Sequence, residues 1–454
     1  MNDLAGKRVT VFGLGRFGGG VAVTRWLCTQ GAIVTVVDSA NRDALAESIT
    51  EIDGCDVTLK IGDEPDAGDF SDTDLVVASP AVRPGHPMLA VAADSKVEVT
   101  TEVVLFAERC RSRYVFGVTG TKGKSTTVEL LARMLRVVAK GDRPDVRERP
   151  NKVRAVFDHK RPHGVWVGGN NGTPLIEHLD RIDPDDFVVL ELSSFMLWHL
   201  GRSGWSPHIA VVTMIGSDHL DWHGSQEAYV NAKRNLVRFQ RESDYAVVAS
   251  SSPLSRGFKD YTPATVIEYG KRANLPEKIA PLLPGKHNRL NERAAYAAAK
   301  LFGLYTDEAV EACADFRGLP HRLELVHEAD GVRWINDSIA TIPAAAAAAC
   351  EAFPAGNVIQ IIGGKSKGGD ETPMIDTLTK RAKAVLCIGE TSAALALKLG
   401  GIARVCETLD AAVAEARDLA TEGDVVLLSP GFASYDQFAN FQERGDAFRQ
   451  LAKA

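Results

Sequence analysis

The stretch that most constrains this chain is "YVFGVTGTKGKSTTVELLARMLRVV", residues 114–138. An aromatic and β-branched run leads into a glycine-rich turn, and apolar positions then recur at helical spacing. That pattern predicts strand, tight turn and helix. Such a turn aims backbone N–H groups and the positive end of a helix at one point, where an anion can sit. The spacing departs from the usual phosphate loop by one position. A first glycine four residues ahead of Gly123-Lys124-Ser125 would fall at Val118, whereas the glycines are Gly117 and Gly120. The physical requirements are met all the same. Gly120, Thr121, Lys122, Gly123 and Thr126 can line the turn, Lys124 can neutralise phosphate oxygens, and Ser125 can ligate Mg²⁺. A plain strand–turn–helix connection leaves Gly-Lys-Ser-Thr in this context without a use. The expected ligand is ATP.

The rest of the chain reads as α/β units in series. "RVTVFG", "AIVTVVD" and "DLVVASP" are strand candidates of a first unit; "FVVLELSS", "HIAVVTMI" and "YAVVAS" follow the loop in a second. "VIQIIGG", "AVLCIGE" and "DVVLLSP" belong to a third. Short β-branched runs alternating with helical stretches predict parallel sheets. At 454 residues the chain exceeds one ordinary core. The expected fold is α/β with three domains: a Rossmann-like domain at 1–111, a central phosphate-loop ATPase domain with a mostly parallel sheet at 112–318, and a second Rossmann-like domain at 319–454. The polar stretch from Ala139 to His163 reads as an exposed loop or ribbon. "AAAAAAC", after Pro343, reads as a packed helix.

The net charge of −7 argues against a nucleic-acid partner. No apolar run is long enough to span a membrane. The opening residues lack a secretory signal, and the seven scattered cysteines fit a reducing compartment. A cytoplasmic location is expected.

Further motifs narrow the chemistry. "GLGRFG" spaces Gly13, Gly15 and Gly18 as G-x-G-x-x-G between a strand and a helix, and Asp38 ends the next strand. The glycines would admit a diphosphate and Asp38 could bond a ribose hydroxyl; a turn needed only for packing is the alternative. "ELSSF" puts Glu191 at a strand's C-terminal edge, where a Mg²⁺ ligand would sit. "SDHLDWHG" offers His219, Asp221 and His223; "LPGKHNRLN" offers Asn288 and Asn291; "HRLE" offers Arg322; "NDS" offers Asn336 and Asp337.

Taken in this order, the segments resemble the Mur ligases of peptidoglycan precursor synthesis, and the resemblance runs over essentially the whole chain. The family's loop, G-x-x-G-T-x-G-K-[ST]-[ST], accounts for the shifted spacing. The resemblance implies the branch that adds glutamate to UDP-N-acetylmuramoyl-L-alanine, acting through an acyl phosphate. It implies that Gly13, Leu14, Gly15, Asp38, Ser79 and Asn170 bind the UDP-precursor. Lys124 and Ser125 would hold the β- and γ-phosphates and a first Mg²⁺, with Glu191 as its protein ligand and His219 on a second. Lys233 stands in the place of the family's carbamylated lysine, a CO₂ adduct that could ligate metal; by pattern alone it is a surface lysine on a helix. Asn288, Asn291, Arg322 and Asp337 would hold the adenosine, and Thr341, Lys367, Ser434 and Phe441 the amino acid. Domain closure on binding and a monomeric state are expected.

Lys122 stands where the family commonly has Asn, Ile339 where glutamate-adding members commonly have Lys, and Ile342 where Asn is common. The insertion around Pro144 to His159 is long. The amino acid therefore stays open: D-glutamate is expected, with L-glutamate or another amino acid as the alternative. From other classes, an NAD-dependent dehydrogenase would use "GLGRFG" but leave the Gly-Lys-Ser-Thr loop idle. A catalytically dead precursor-binding protein is at odds with the presence of Lys124, Glu191, His219 and Lys233.

Overall fold

A computed structural model describes residues 4–15, 18–140, 164–170, 172–270, 279–283, 285–366 and 370–454, with the backbone alone for Lys286 and His287. The expected ribbon at 139–163 falls, beyond Lys140, outside the described residues. Two compact units make up the chain: Met1–Glu277 with Leu290–Ala312, and Lys278–Arg289 with Cys313–Ala454.

The first unit carries two parallel sheets. One consists of β1 (Arg8–Phe12), β2 (Ile33–Asp38), β3 (Val57–Ile61), β4 (Leu75–Ala78) and β5 (Glu98–Thr100), in the order β3-β2-β1-β4-β5. The other consists of β6 (Tyr114–Thr119), β7 (Val165–Gly169), β8 (Phe187–Glu191), β9 (Ile209–Val212), β10 (Tyr245–Ala249) and β11 (Thr265–Tyr269), in the order β11-β10-β9-β6-β8-β7. Every residue of β6, β8 and β9 is buried, as continuous apolar runs between two helical layers require, whereas the edge strands β7 and β11 are half-exposed. One apolar cluster joins the two sheets, running from Val9, Val11 and Trp26 through Phe106 and Ile176 to Val188, Leu197 and Leu236.

The second unit holds β12 (Glu324–Ala329), β13 (Val332–Asn336), β14 (Val358–Gly363), β15 (Ala382–Ile388), β16 (Ala403–Glu407) and β17 (Val425–Leu428), in the order β12-β13-β17-β14-β15-β16. Only the β12–β13 pairing is antiparallel. Separate apolar clusters cover its two faces, one around Ile362, Val385 and Leu427 and the other around Ile361, Leu386 and Phe448. The alanine run forms the helix Pro343–Cys350, with Ala346 and Cys350 fully buried. Residue identity thus decides the layers: chain reversals follow strand C-termini, and those ends collect the expected site residues.

Candidate active site

β6 ends at Thr119 and the helix Lys124–Lys140 begins five residues later. Two glycines make the turn possible. A Cβ on Gly120 would lie 1.8 Å from Thr213 Oγ1, and one on Gly123, at φ 90°, would lie 2.3 Å from Asn291 Oδ1. The turn is tied to the strand beside it. Thr121 N donates to Met214 O at 2.7 Å, the Thr213 hydroxyl lies 2.7 Å from Lys122 O, and Gly216 N donates to Thr121 Oγ1 at 2.8 Å. Lys124 Nζ reaches back to Gly120 O at 3.1 Å and Thr121 O at 3.4 Å. Thr126 is buried, Ser125 half-buried and Lys122 exposed at the lip. Asn291 therefore stands beside the loop, as expected of a nucleotide contact.

Beneath the turn lie a buried acid and a buried base. Glu191, at the end of β8, is 2% exposed. Its Oε1 accepts from Asn170 Nδ2 at 3.0 Å, and Asn170 N donates to Glu191 O at 2.8 Å. Its Oε2 is buried without a hydrogen-bond partner. An orphaned carboxylate oxygen at a strand end is costly unless a cation satisfies it. Lys233 is 1% exposed; its Nζ donates to Gly120 O at 3.0 Å and sits 4.8 Å from the Tyr229 ring centroid. Burial, reinforced by the Lys124 cation, holds its pKa well below the ordinary lysine value, against the opposing pull of Asp218 and Glu191. Its surface-lysine reading is thereby corrected. On the helix Gln226–Arg238, Lys233 shares the buried stripe with Tyr229, Val230, Leu236 and Val237.

Among the described residues no group of three or more His, Cys, Asp and Glu forms a metal cage. The donors present nonetheless suit Mg²⁺, which takes few protein ligands and completes its shell with phosphate and water. They are the bare Glu191 oxygen and the Ser125 hydroxyl, beside a lysine whose charged form burial disfavours.

His219 begins the short helix Leu220–His223 in a left-handed conformation, φ 51°. Its half-exposed ring lies 4.7 Å from Phe195, with Nε2 3.6 Å from Asp218. His223 stacks on the other part of Phe195 and its Nε2 is 3.0 Å from Ser194 Oγ. Burial first, then repulsion by His219 and Lys233, takes the His223 pKa down to about 4. It is a neutral hydrogen-bonding group at ordinary pH.

A cavity of about 1200 Å³ in the same unit is lined by Gly13, Asp38, Arg83, His86, Trp222 and Asn231, among others. Gly13 abuts Ser79: its Cβ would come 3.0 Å from Ser79 Cβ. Both Asp38 oxygens are engaged, Oδ2 by Gly15 N at 3.0 Å and Oδ1 by Ala40 N at 2.9 Å, so this carboxylate shapes the glycine loop while it lines the cavity. Leu14 is 1% exposed, its side chain in the core. Gly20, which sequence reasoning missed, is the tightest glycine between β1 and β2: its Cβ would lie 2.2 Å from Leu14 O. Arg83 and Trp222 were missed as well. Arg83 pairs with Asp221 at 3.5 Å and Trp222 Nε1 donates to Ala81 O at 3.2 Å. The signal for Arg83 was the Pro- and Gly-rich turn directly after β4, and that for Trp222 its place in "SDHLDWHG".

In the second unit Asn288 is buried on the helix Lys286–Lys300. Arg322 is half-buried in a turn whose backbone bridges to Leu319. Asp337, at the end of β13, accepts from Leu323 N at 3.1 Å and from Ser429 Oγ at 2.7 Å. Thr341 follows on the same loop, Ser434 is buried after β17, and Phe441 starts the helix Phe441–Lys453. Lys367 lies outside the described residues, as does the insertion around 144–159. Ile339 is half-buried and Ile342 is 53% exposed.

Three domain descriptions match the chain in order: "Mur ligase MurD-like, N-terminal domain" at 7–101, "Mur ligase middle domain" at 118–280, and "Mur ligase, glutamate ligase domain" at 321–432. The chain is 39% identical to a UDP-N-acetylmuramoylalanine--D-glutamate ligase of Anaeromyxobacter dehalogenans, over 99% of this chain and 98% of the relative. It is 36% identical to the protein of that name from Roseiflexus sp., over 100% and 99%. The crystal structure of UDP-N-acetylmuramate-alanine ligase MurC from Thermotoga maritima shares the fold, with a TM-score of 0.57 and 19% identity over 98% of this chain and 99% of that one. These matches overturn the dehydrogenase alternative. The G-x-G-x-x-G stretch falls inside the MurD-like domain, and Asp38, the expected ribose acceptor, is already held by two backbone amides.

Proposed function

The chain belongs to the Mur ligase family, and on that premise we propose that it is the ATP-dependent ligase that joins D-glutamate to UDP-N-acetylmuramoyl-L-alanine in peptidoglycan precursor synthesis. The observation that carries the reading is a buried lysine, Lys233, whose charged form burial disfavours, together with a Glu191 carboxylate oxygen that lacks a partner, beneath a phosphate-binding turn. A dinucleotide enzyme or a passive binding protein has no use for that pair.

The chemistry follows from the charges. The precursor carboxylate attacks the γ-phosphate, giving an acyl phosphate and ADP. The glutamate amine then attacks the acyl carbonyl, and the tetrahedral adduct expels phosphate and leaves an amide. Lys124 exchanges its contacts with Gly120 O and Thr121 O for phosphate oxygens, and the turn's N–H groups spread the charge of the transferring group. When bound, Mg²⁺, as two ions, supplies Lewis-acid polarisation of the phosphoryl oxygens. Ser125 and Glu191 would hold one ion; His219 and the carbamate of Lys233 would serve the other. The carbamate would form as the Lys233 lone pair attacks CO₂, a C=O π pair moves onto oxygen, and the nitrogen then loses an N–H proton to water, leaving an anionic oxygen ligand.

The 1200 Å³ cavity, lined by Gly13, Asp38, Arg83 and Trp222, takes the UDP-precursor, with Gly15 bonded to Asp38 and Ser79 against Gly13. Asn170 orients Glu191. Asn288, Asn291, Arg322 and Asp337 take the adenosine, and Thr341, Lys367, Ser434 and Phe441 take glutamate. In this assignment residues 1–111, 112–318 and 319–454 serve precursor, ATP and amino acid in turn. The enzyme acts in the cytoplasm as a monomer, which is consistent with no helix among the described residues being long and apolar enough to cross a membrane. Ile339 and Ile342 favour one second reading, the same chemistry with L-glutamate or another amino acid. ADP release measured with D-Glu, L-Glu and neutral amino acids decides between them. Inactivity with all would remove the ligase assignment.

A further inference from the structure

Arg444, on the helix Phe441–Lys453, is 1% exposed, the bulkiest fully buried side chain in the molecule as described. Its Nε donates to Ser338 Oγ and its Nη2 to Ser338 O, each at 3.0 Å. Nη1 and Nη2 both reach Phe432 O at 3.2 Å. Ser338 Oγ in turn donates to Phe441 O at 2.8 Å. One side chain thereby ties together the loop after β13, the loop after β17 and the start of a helix. These segments carry Thr341, Ser434 and Phe441.

The acceptors of this fork are neutral oxygens. Among the described residues no carboxylate lies within ion-pair distance of Arg444. Asp436 is the acid that acts on it from further off, and its Oδ2 already accepts from Glu390 N at 2.9 Å. A fork made for carboxylates is thus spent on carbonyls, and its charge is opposed only in part, by Asp436 beyond ion-pair distance. Burial lowers the guanidinium pKa only to about 10, so the charge persists at neutral pH.

We propose that Arg444 is the positioning residue of the amino-acid site: its fork fixes the three segments, and its charge, only partly opposed by Asp436, makes the site prefer an amino acid that carries a second carboxylate. The proposal rests on the ligase reading above. It adds a residue and an electrostatic basis for choosing an acidic over an isosteric neutral substrate.

The test is steady-state kinetics on the full chain with saturating precursor and ATP, varying D-glutamate and D-glutamine. Arg444→Met removes fork and charge; Arg444→Lys keeps charge without the fork; Ser338→Ala cuts the two ties of its hydroxyl, to Arg444 Nε and Phe441 O, and keeps the charge. Arg444→Met is expected to raise KM for D-glutamate about tenfold or more and to collapse the preference over D-glutamine, with KM for ATP within about twofold. Arg444→Lys and Ser338→Ala are expected to keep that preference while lowering kcat. Equal changes in KM for glutamate and ATP, or an intact preference in Arg444→Met, would overturn the proposal. Should Arg444→Met fail to fold by circular dichroism, the other two decide, and unchanged kcat in both overturns it. A wild type inactive with D-glutamate removes the ligase reading and this proposal together. An active wild type with unmoved variants removes Arg444 alone.

Discussion

Lys233 shows how one residue's surroundings reverse its chemistry. An exposed lysine is a cation at neutral pH and repels Mg²⁺; burial beside Lys124 pushes this one toward the neutral amine. The folded pKa lies below the unfolded value, so between the two the unfolded chain binds more protons and stability rises with pH. Holding Lys233 therefore costs stability progressively as pH falls from the ordinary lysine range, about 10, toward its folded pKa. In CO₂-free buffer, Lys233→Met should gain on wild type in Tm as pH is lowered from 9 to 6, while ligase activity falls by about a hundredfold or more. A Tm difference that does not vary with pH would show that the amine is not perturbed. The signal was legible in principle: Tyr229, Lys233 and Leu236 are spaced for one helical face. Lysine on an apolar stripe was read as surface because composition alone cannot show that the face is covered.

Gly20 is the complementary case, a constraint with no chemistry. Gly20→Ala drives a methyl into Leu14 O and should cost about 3 kcal/mol. Gly19→Ala, with nothing within 4 Å, should be neutral or slightly stabilising. Urea melts of the two variants separate steric need from glycine preference; equal melts would refute the close approach. The G-x-G-x-x-G spacing marks Gly13, Gly15 and Gly18 and passes over Gly20, because spacing records the pattern and not which carbonyl lies opposite.

Among elements, the strand ends are where pattern and chemistry coincide. The ten strand runs read from β-branched alternation appear as strands, because parallel sheets buried on both faces need continuous apolar runs. β3, β5, β7, β11, β12, β13 and β16 are not among them; all but β13 lie at sheet edges, where half-exposed residues blur the pattern. At the end of β7, Asn170 holds one Glu191 oxygen and leaves the other bare. Asn170→Ala should therefore raise the Mg²⁺ concentration for half-maximal activity roughly tenfold, as loss of a group orienting a metal ligand does. A Mg²⁺ curve superimposable on wild type would remove Asn170 from that role. Asp337 shows where motif reading stops: "NDS" named the residue, and only the fold reveals that it straps β13 to Ser429.

On the scale of the whole molecule, the two compact units predict composite unfolding. Calorimetry should resolve more than one transition, and UDP-N-acetylmuramoyl-L-alanine at a hundred times its Kd should stabilise the transition of the first unit by about 2.7 kcal/mol. A single transition, or a shift confined to the other unit, would contradict that placement of the precursor cavity. The order of the three nucleotide- and substrate-binding segments was legible from motifs because each sits at a strand end with a distinctive composition. What covers them was not, since burial of Lys233 and Arg444 arises from residues distant in sequence.

The central claim is amide synthesis driven by ATP. Its most direct test incubates the full chain with ATP, Mg²⁺, UDP-N-acetylmuramoyl-L-alanine and D-glutamate, following ADP release and the mass of the nucleotide product together. The account predicts ADP and D-glutamyl product in equal amounts, with neither formed when precursor or amino acid is left out. ADP release that does not depend on both substrates, or no product with D-glutamate, would contradict it.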